Sequence, residues 1–467
     1  MSLSRRAVLS QLLLGAPLGG ALLASRAYTQ APTRTSWLNP YRDATSRLIH
    51  ASTKDDFAWR RLAELTDTFG HRLSGSENLE RAIGWAAETM KRDGLENVRT
   101  EPVMVPRWVR GRESAEIVSP PRHPVAILGL GGSIATPPEG IEADILVVNG
   151  FDELRERAAE VKGRIVLFNA PFTTYGDTVN YRTGGPRSAS QLGAVAALVR
   201  SVGPTGLRTP HTGSLQYGPS APPIPAASVS AEDADRIARL VARGITVRVR
   251  LKMEAHAEAD APSANVVGEI RGRLRPQEIV LLGGHLDSWD VGTGASDDGV
   301  GCIATWEAAR LIMSLGLRPR RTIRVVLWVN EENGLRGANA YAEKHAAQAA
   351  DHVFALESDS GVFEPASLGF TGSSGARTVM RDIASLLSPL GMAEMVGGGG
   401  GADIGPISQA GNTPMAAYLG NPARYFAIHH TDADTVERIA PAEVAKAAAA
   451  IAVVAYVVAE MPDQLPR

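Results

Sequence analysis

Five short stretches of the 467-residue chain concentrate histidine and carboxylate side chains. They are Gly283-Gly284-His285-Leu286-Asp287, Gly294-Ala295-Ser296-Asp297-Asp298-Gly299, Asn330-Glu331-Glu332, Glu357-Ser358-Asp359, and His429-His430-Thr431-Asp432-Ala433-Asp434. Imidazole nitrogen and carboxylate oxygen together are suited to holding divalent cations. Cys302 is the single cysteine, so an intrachain disulfide and a Cys-ligated zinc site are both excluded. Of the ten histidines, only His285 and the pair His429, His430 stand among closely spaced carboxylates.

Spacing suggests how the tasks divide. His285 and Asp287 are two apart, so in an extended segment they face the same side. The Asp287 carboxylate is then expected to accept the second ring N–H of a metal-bound His285 and fix its tautomer. In the glycine-flanked turn, one carboxylate of Asp297-Asp298 could bridge two cations; a helix N-cap also needs only one Asp, and both roles can coexist. Adjacent Glu331 and Glu332 at a strand end point in different directions. One can bind metal while its neighbour takes a proton from water, a separation that general base catalysis requires. The late histidine is His430 or His429, with Asp434 as a partner for its ring. Asp403 is a candidate contact for a substrate ammonium, or simply a solvated loop carboxylate. The run Gly397 to Gly401 before it lacks the Lys-Ser/Thr ending of a phosphate-binding loop and reads as a mobile loop.

These residues need a frame. Ile279 to Leu282, Ile323 to Val329 and Val353 to Leu356 are continuous apolar runs, and Val300 to Leu315 has helical character. Strands of that kind alternating with helices predict an α/β fold, with a mixed, mostly parallel sheet covered by helices on both faces. The polar stretches follow directly on the strands, at the carboxyl edge where such sheets bind ligands. Ser74 and Glu77 have capping-box spacing ahead of a helical pattern through Met90. Between Val109 and Pro262 the texture changes to short apolar runs among prolines and glycines, with a helix from Ala231 to Ala242 capped by Ser230. That division predicts a catalytic domain of residues 32–108 and 263–467, interrupted by an inserted α/β domain at 109–262.

The net charge of −2, spread without long runs of one sign, gives no basic footprint for nucleic acid. Ser4-Arg5-Arg6, the apolar stretch Leu12 to Ala24 and Ser25-Arg26-Ala27 resemble a twin-arginine export signal over residues 1–31. The mature protein is therefore expected outside the cytoplasm, periplasmic or secreted. It is expected not to reside in a membrane, because neither the leader nor any later run reads as a comfortable span.

The series His285-x-Asp287, Asp297-Asp298-Gly299, Glu331-Glu332-x-Gly334-Leu335-Arg336-Gly337, Asp359 and His430-Thr431-x-x-Asp434-Thr435 resembles the co-catalytic zinc exopeptidases. That family includes bacterial leucyl aminopeptidases and glutamate carboxypeptidases. His285-Leu286-Asp287-Ser288-Trp289-Asp290-Val291-Gly292, Glu357-Ser358-Asp359-Ser360-Gly361 and Arg72-Leu73-Ser74-Gly75-Ser76 extend the likeness, toward the glutamate carboxypeptidases, from about His71 to Thr435. The resemblance implies two Zn2+ per chain, with Asp297 bridging, His285 and Asp359 on one ion, and Glu332 and His430 on the other. It implies Glu331 as the general base, short peptides as substrate, a protease-associated-type fold for the insert, and a homodimer. His430 is preferred over His429 because the family's histidine precedes Thr-x-x-Asp-Thr. Other readings of the scaffold are an aminopeptidase trimming longer peptides, a one-zinc glutaminyl-cyclase-like acyltransferase, and a metal-free binding protein.

Overall fold

The computed structural model describes residues 36–467, and the account below concerns the compact unit Leu38–Arg467. The leader at 1–31 lies outside the described residues. Each apolar run becomes a strand buried on both faces: no residue of Arg321–Trp328 or of His352–Glu357 escapes burial. They belong to an eight-stranded sheet whose spatial order is Glu96–Val105, Ala261–Ile270, Arg321–Trp328, Arg275–His285, His352–Glu357, Met415–Leu419, Ser367–Thr371 and Met395–Gly397. The four central strands are parallel, and Ala261–Ile270 and Ser367–Thr371 join them antiparallel. The fold is thus mixed α/β, as the apolar runs predict.

Side chains alternate across this sheet. Ile279, Leu281 and Trp328 pack on Ala338, Tyr341, Ile404 and Ile407, while the helices Val300–Ser314 and Pro441–Glu460 lie against the same strands. The second of these helices corrects an expectation, because it is long and apolar enough to cross a bilayer. Its most apolar stretch is 83% buried inside the protein, against Val300–Ser314 and Arg42–Thr53, so its hydrophobicity serves the core. Register then gathers the polar stretches: His285 pairs with Trp328, and Gly283 with Glu357, so the three strands end side by side.

A second eight-stranded sheet comes from residues between Glu113 and Met253. Its parallel strands Ile141–Val148, Ile165–Phe168, Ala196–Arg200 and Ala226–Val229 carry a core on each face. Ser230 caps the helix Ala231–Ala242 as expected, accepting from the Asp233 N–H at 3.2 Å. The helix Glu77–Arg92 is instead capped by Ser76, which accepts from the Leu79 N–H at 3.2 Å. Ser74 is engaged elsewhere, donating to Asp287 at 3.2 Å and accepting from Asn330 at 3.1 Å.

Candidate active site

The rim stretches meet around one carboxylate. Asp297 turns Oδ1 toward His285 Nε2 at 3.2 Å and Oδ2 toward His430 Nε2 at 3.1 Å. Asp359 Oδ1 lies 3.5 Å from the same His285 nitrogen, and Glu332 Oε2 lies 3.0 Å from the His430 nitrogen. All five residues expected to hold metal therefore come together, as two donor groups sharing Asp297. His429 also borders the second group: its Nε2 is 3.4 Å from Asp297 Oδ2 and its ring stacks on His430 at 3.5 Å.

Local structure explains the convergence. Asp298 accepts from the His285 N–H at 3.1 Å and from the Gly301 N–H at 3.1 Å, which fastens the strand end to the start of the next helix. It takes the capping task and leaves Asp297 to face the cluster; the peptide between them is cis. The approach is so close that a Cβ on Gly284 would strike the Asp298 carboxylate, and one on Gly301 the Ser358 carbonyl.

Two orientations differ from expectation. The His285 Nδ1–H meets the Asp287 carbonyl oxygen at 2.9 Å, whereas the Asp287 carboxylate is 3.8 Å away. That carboxylate accepts from the N–H groups of Glu331 at 3.2 Å and Glu332 at 3.4 Å, so Asp287 positions the glutamates rather than the imidazole. Asp434 likewise serves the turn, accepting from Ser296 N–H at 2.7 Å and Asp297 N–H at 3.1 Å, not from His430. The His430 Nδ1 instead meets the Thr212 carbonyl at 3.2 Å. In the neutral, metal-binding form of both histidines, a carbonyl at Nδ1 selects the tautomer whose Nε2 lone pair faces Asp297.

Charge is unbalanced here. Among the described residues, Asp297, Asp359 and Glu332 have only histidines as ionic partners. Burial, then Asp297, pushes Glu332 up to about 7. Burial raises Glu331 well above the usual range; His285 opposes the shift, while Asp359 and Glu332 add to it. Burial alone would lower His285 and His430, yet Asp359 and Asp297 at the first, and Glu332 and Asp297 at the second, hold them well above 6.5. His285 Nε2, Asp297 Oδ2 and Glu332 Oε1 are buried and make no hydrogen bond. Inward-facing lone pairs on imidazole and carboxylate, with surplus negative charge, fit a pair of divalent cations.

The cluster floors a cleft of about 540 Å³, which Glu331, only partly buried, enters from the rim. Asp403 is not on the cleft wall. It is fully buried without a hydrogen bond at either oxygen, and burial, then Glu357 and Glu331, raises its carboxyl well above the usual range. Part of the glycine run is likewise packed: Gly401 leaves no space for a Cβ against Glu357, nor Gly399 against Gly369.

The opposite wall comes from the second-sheet segment, through Tyr175, Arg182, Ser214, Leu215 and Gln216. Beside it, the Thr212 N–H donates to the His430 carbonyl at 3.0 Å, and His211 Nδ1 meets the His429 carbonyl at 2.7 Å. Sequence reasoning missed these residues, which no spacing signal connects to positions more than 200 apart.

The fold and this carboxylate-bridged cluster define a metallopeptidase, and the family model "Peptidase family M28" matches residues 265–455. The chain belongs to that family, since it is 48% identical over 410 residues to human carboxypeptidase Q, covering 88% of this chain and 87% of that protein. A solved peptidase M28 precursor from Shewanella amazonensis superposes with a TM-score of 0.88 at 34% identity, over 92% of this chain and 98% of that one. The fold is also similar to a zinc aminopeptidase from Bacillus subtilis, with a TM-score of 0.66 at 20% identity over 87% and 96% of the two chains.

Proposed function

We propose that this metallopeptidase is a two-zinc exopeptidase that hydrolyses dipeptides and other short peptides. One observation carries the reading: the two oxygens of Asp297 face separate imidazole–carboxylate pairs, at 3.2 Å and 3.1 Å. His285 and Asp359 would hold one ion, Glu332 and His430 the other, and Asp297 both. Zinc supplies a lowered pKa for water and Lewis-acid polarisation of the scissile carbonyl. Glu331 takes a proton from the attacking water and passes it to the departing amine, work for which its position on the cleft wall beside Glu332 suits it. Asp287 holds the Glu331 and Glu332 backbone so that one side chain reaches the cleft while the other turns to His430.

The segment 109–262 acts in this reading as an inserted protease-associated-type domain that roofs the cleft. Export and a homodimeric assembly complete the proposal. Dipeptides with each terminus blocked in turn, assayed with and without chelator, test it. Metal-dependent release of free amino acids is expected; chelator-insensitive turnover, or none after zinc is restored, refutes it.

A further inference from the structure

Apart from the histidines, the charged groups lining the cleft are acidic except for Arg182, the one arginine or lysine there among the described residues. Arg182 stands on the helix Tyr175–Gln191 and is only 4% exposed. Burying a guanidinium is costly unless it is paired. Arg61, Arg200, Arg321 and Arg324 are buried too, and each has a carboxylate, from Asp93, Asp235, Glu278 and Glu269. Arg72 has none, but it places four N–H groups on carbonyls at 2.7 to 3.0 Å.

Arg182 has neither solution. Its bonds to the Ser214 and Thr212 carbonyls are both 3.3 Å long, and a third goes to the Tyr175 hydroxyl at 2.9 Å. Its 3.4 Å approach to His430 Nδ1 is no bond while that nitrogen donates to Thr212. Each terminal nitrogen therefore keeps an N–H to give.

Resting on the exopeptidase reading, we infer that Arg182, assisted by Tyr175, reads the free α-carboxylate of the residue leaving the site. The guanidinium lies one imidazole ring behind the His430 nitrogen that faces Asp297. A peptide with its scissile carbonyl over Asp297 carries its next main-chain carbonyl carbon one residue, roughly 3.5 Å, further on. In a dipeptide that carbon is a carboxylate, a charged and bidentate match for Arg182. In a longer peptide it is a neutral amide, which leaves the buried charge uncompensated. Tyr175 stacks on Phe426 at 5.1 Å and 13°, so its hydroxyl is held in place beforehand.

The test compares a dipeptide with its C-terminal amide. Wild-type kcat/KM is expected to favour the free acid about 100-fold, and Arg182→Gln to bring that ratio within about threefold. Tyr175→Phe narrows it by about tenfold. Calorimetric binding of a non-hydrolysable dipeptide isostere, acid against amide, to the zinc-loaded protein is expected to follow the same ratios. The inference is overturned if wild type cleaves acid and amide equally, or if Arg182→Gln keeps the preference. It is also overturned if that variant loses both activities together with its metal, which would make Arg182 a support for His430. Should Arg182→Gln fail to fold, the wild-type ratio and Tyr175→Phe decide. A wild type that cleaves both substrates equally with zinc leaves the exopeptidase reading standing; one inert toward both removes it too.

Discussion

Buried acids and histidines gather twice around the main sheet, with opposite outcomes. At its edge, Glu101 meets Arg99 at 2.9 Å, His345 at 3.2 Å and Lys344 at 3.3 Å. Nearby Glu269 is bound by Arg324 at 2.7 Å. At the carboxyl ends of the strands, by contrast, Asp297, Asp359 and Glu332 meet only imidazoles, and buried oxygens stay unbonded. The first cluster is satisfied by the chain's own cations and serves stability. The second would have its missing positive charge supplied by the proposed metal ions, and that shortfall, rather than the presence of acids, distinguishes it from the structural cluster.

The comparison can be broken at several points. Glu331→Gln is expected to lower kcat by roughly 10³-fold or more while zinc per chain stays at the wild-type level; an active variant would remove Glu331 as base. Asp287→Asn leaves the ligands in place but loosens the glutamate backbone, costing roughly 10- to 100-fold in activity or zinc affinity. Equal activity and affinity in wild type and variant would show that its hydrogen bonds do no positioning. His430→Gln is expected to lose one zinc equivalent, and His429→Gln none. Elemental analysis giving the reverse would exchange their roles.

The smallest effect on turnover lies at the edge. Burial would raise Glu101, but His345, Arg99 and Lys344 pull it down to about 2 from 4.5. A depressed carboxyl stabilises the fold above its unfolded pKa, and this contribution, about 3 kcal/mol, fades as pH falls from 4.5 toward 2. Glu101→Gln should leave kcat/KM unchanged and be less stable at pH 7, with the gap to wild type closing over that acid range. A pH-independent gap in denaturant titrations would contradict the assignment.

Much of the site was legible because strand ends announce themselves: buried apolar runs stop, and His285, Glu331, Glu332 and Asp359 follow at once. What the spacing did not reveal was direction. Asp287 and Asp434 stand at ring-partner distance in sequence, yet both bind backbone N–H groups, because turns that carry ligands must themselves be held. Asp403 looked like a loop carboxylate, but the adjoining glycines allow the chain to pack it beneath the rim. Arg182 and Thr212 were invisible, since contacts between the distant second-sheet segment and the rim leave no periodicity. The Pro441–Glu460 helix shows that hydropathy alone does not distinguish a core helix from a span.

One side chain ties the melting of the molecule together. Trp289 sits in sequence between His285 and Asp297, yet its ring is seated in the hydrophobic core of the second sheet, edge-on to Trp108 at 6.5 Å and to His430 at 5.7 Å. Softening of that core releases the midpoint of the segment that carries both residues. In zinc-loaded protein, heat should accordingly release the metal and dissolve the second sheet in a single calorimetric transition, and two resolved transitions would show the anchor to be slack.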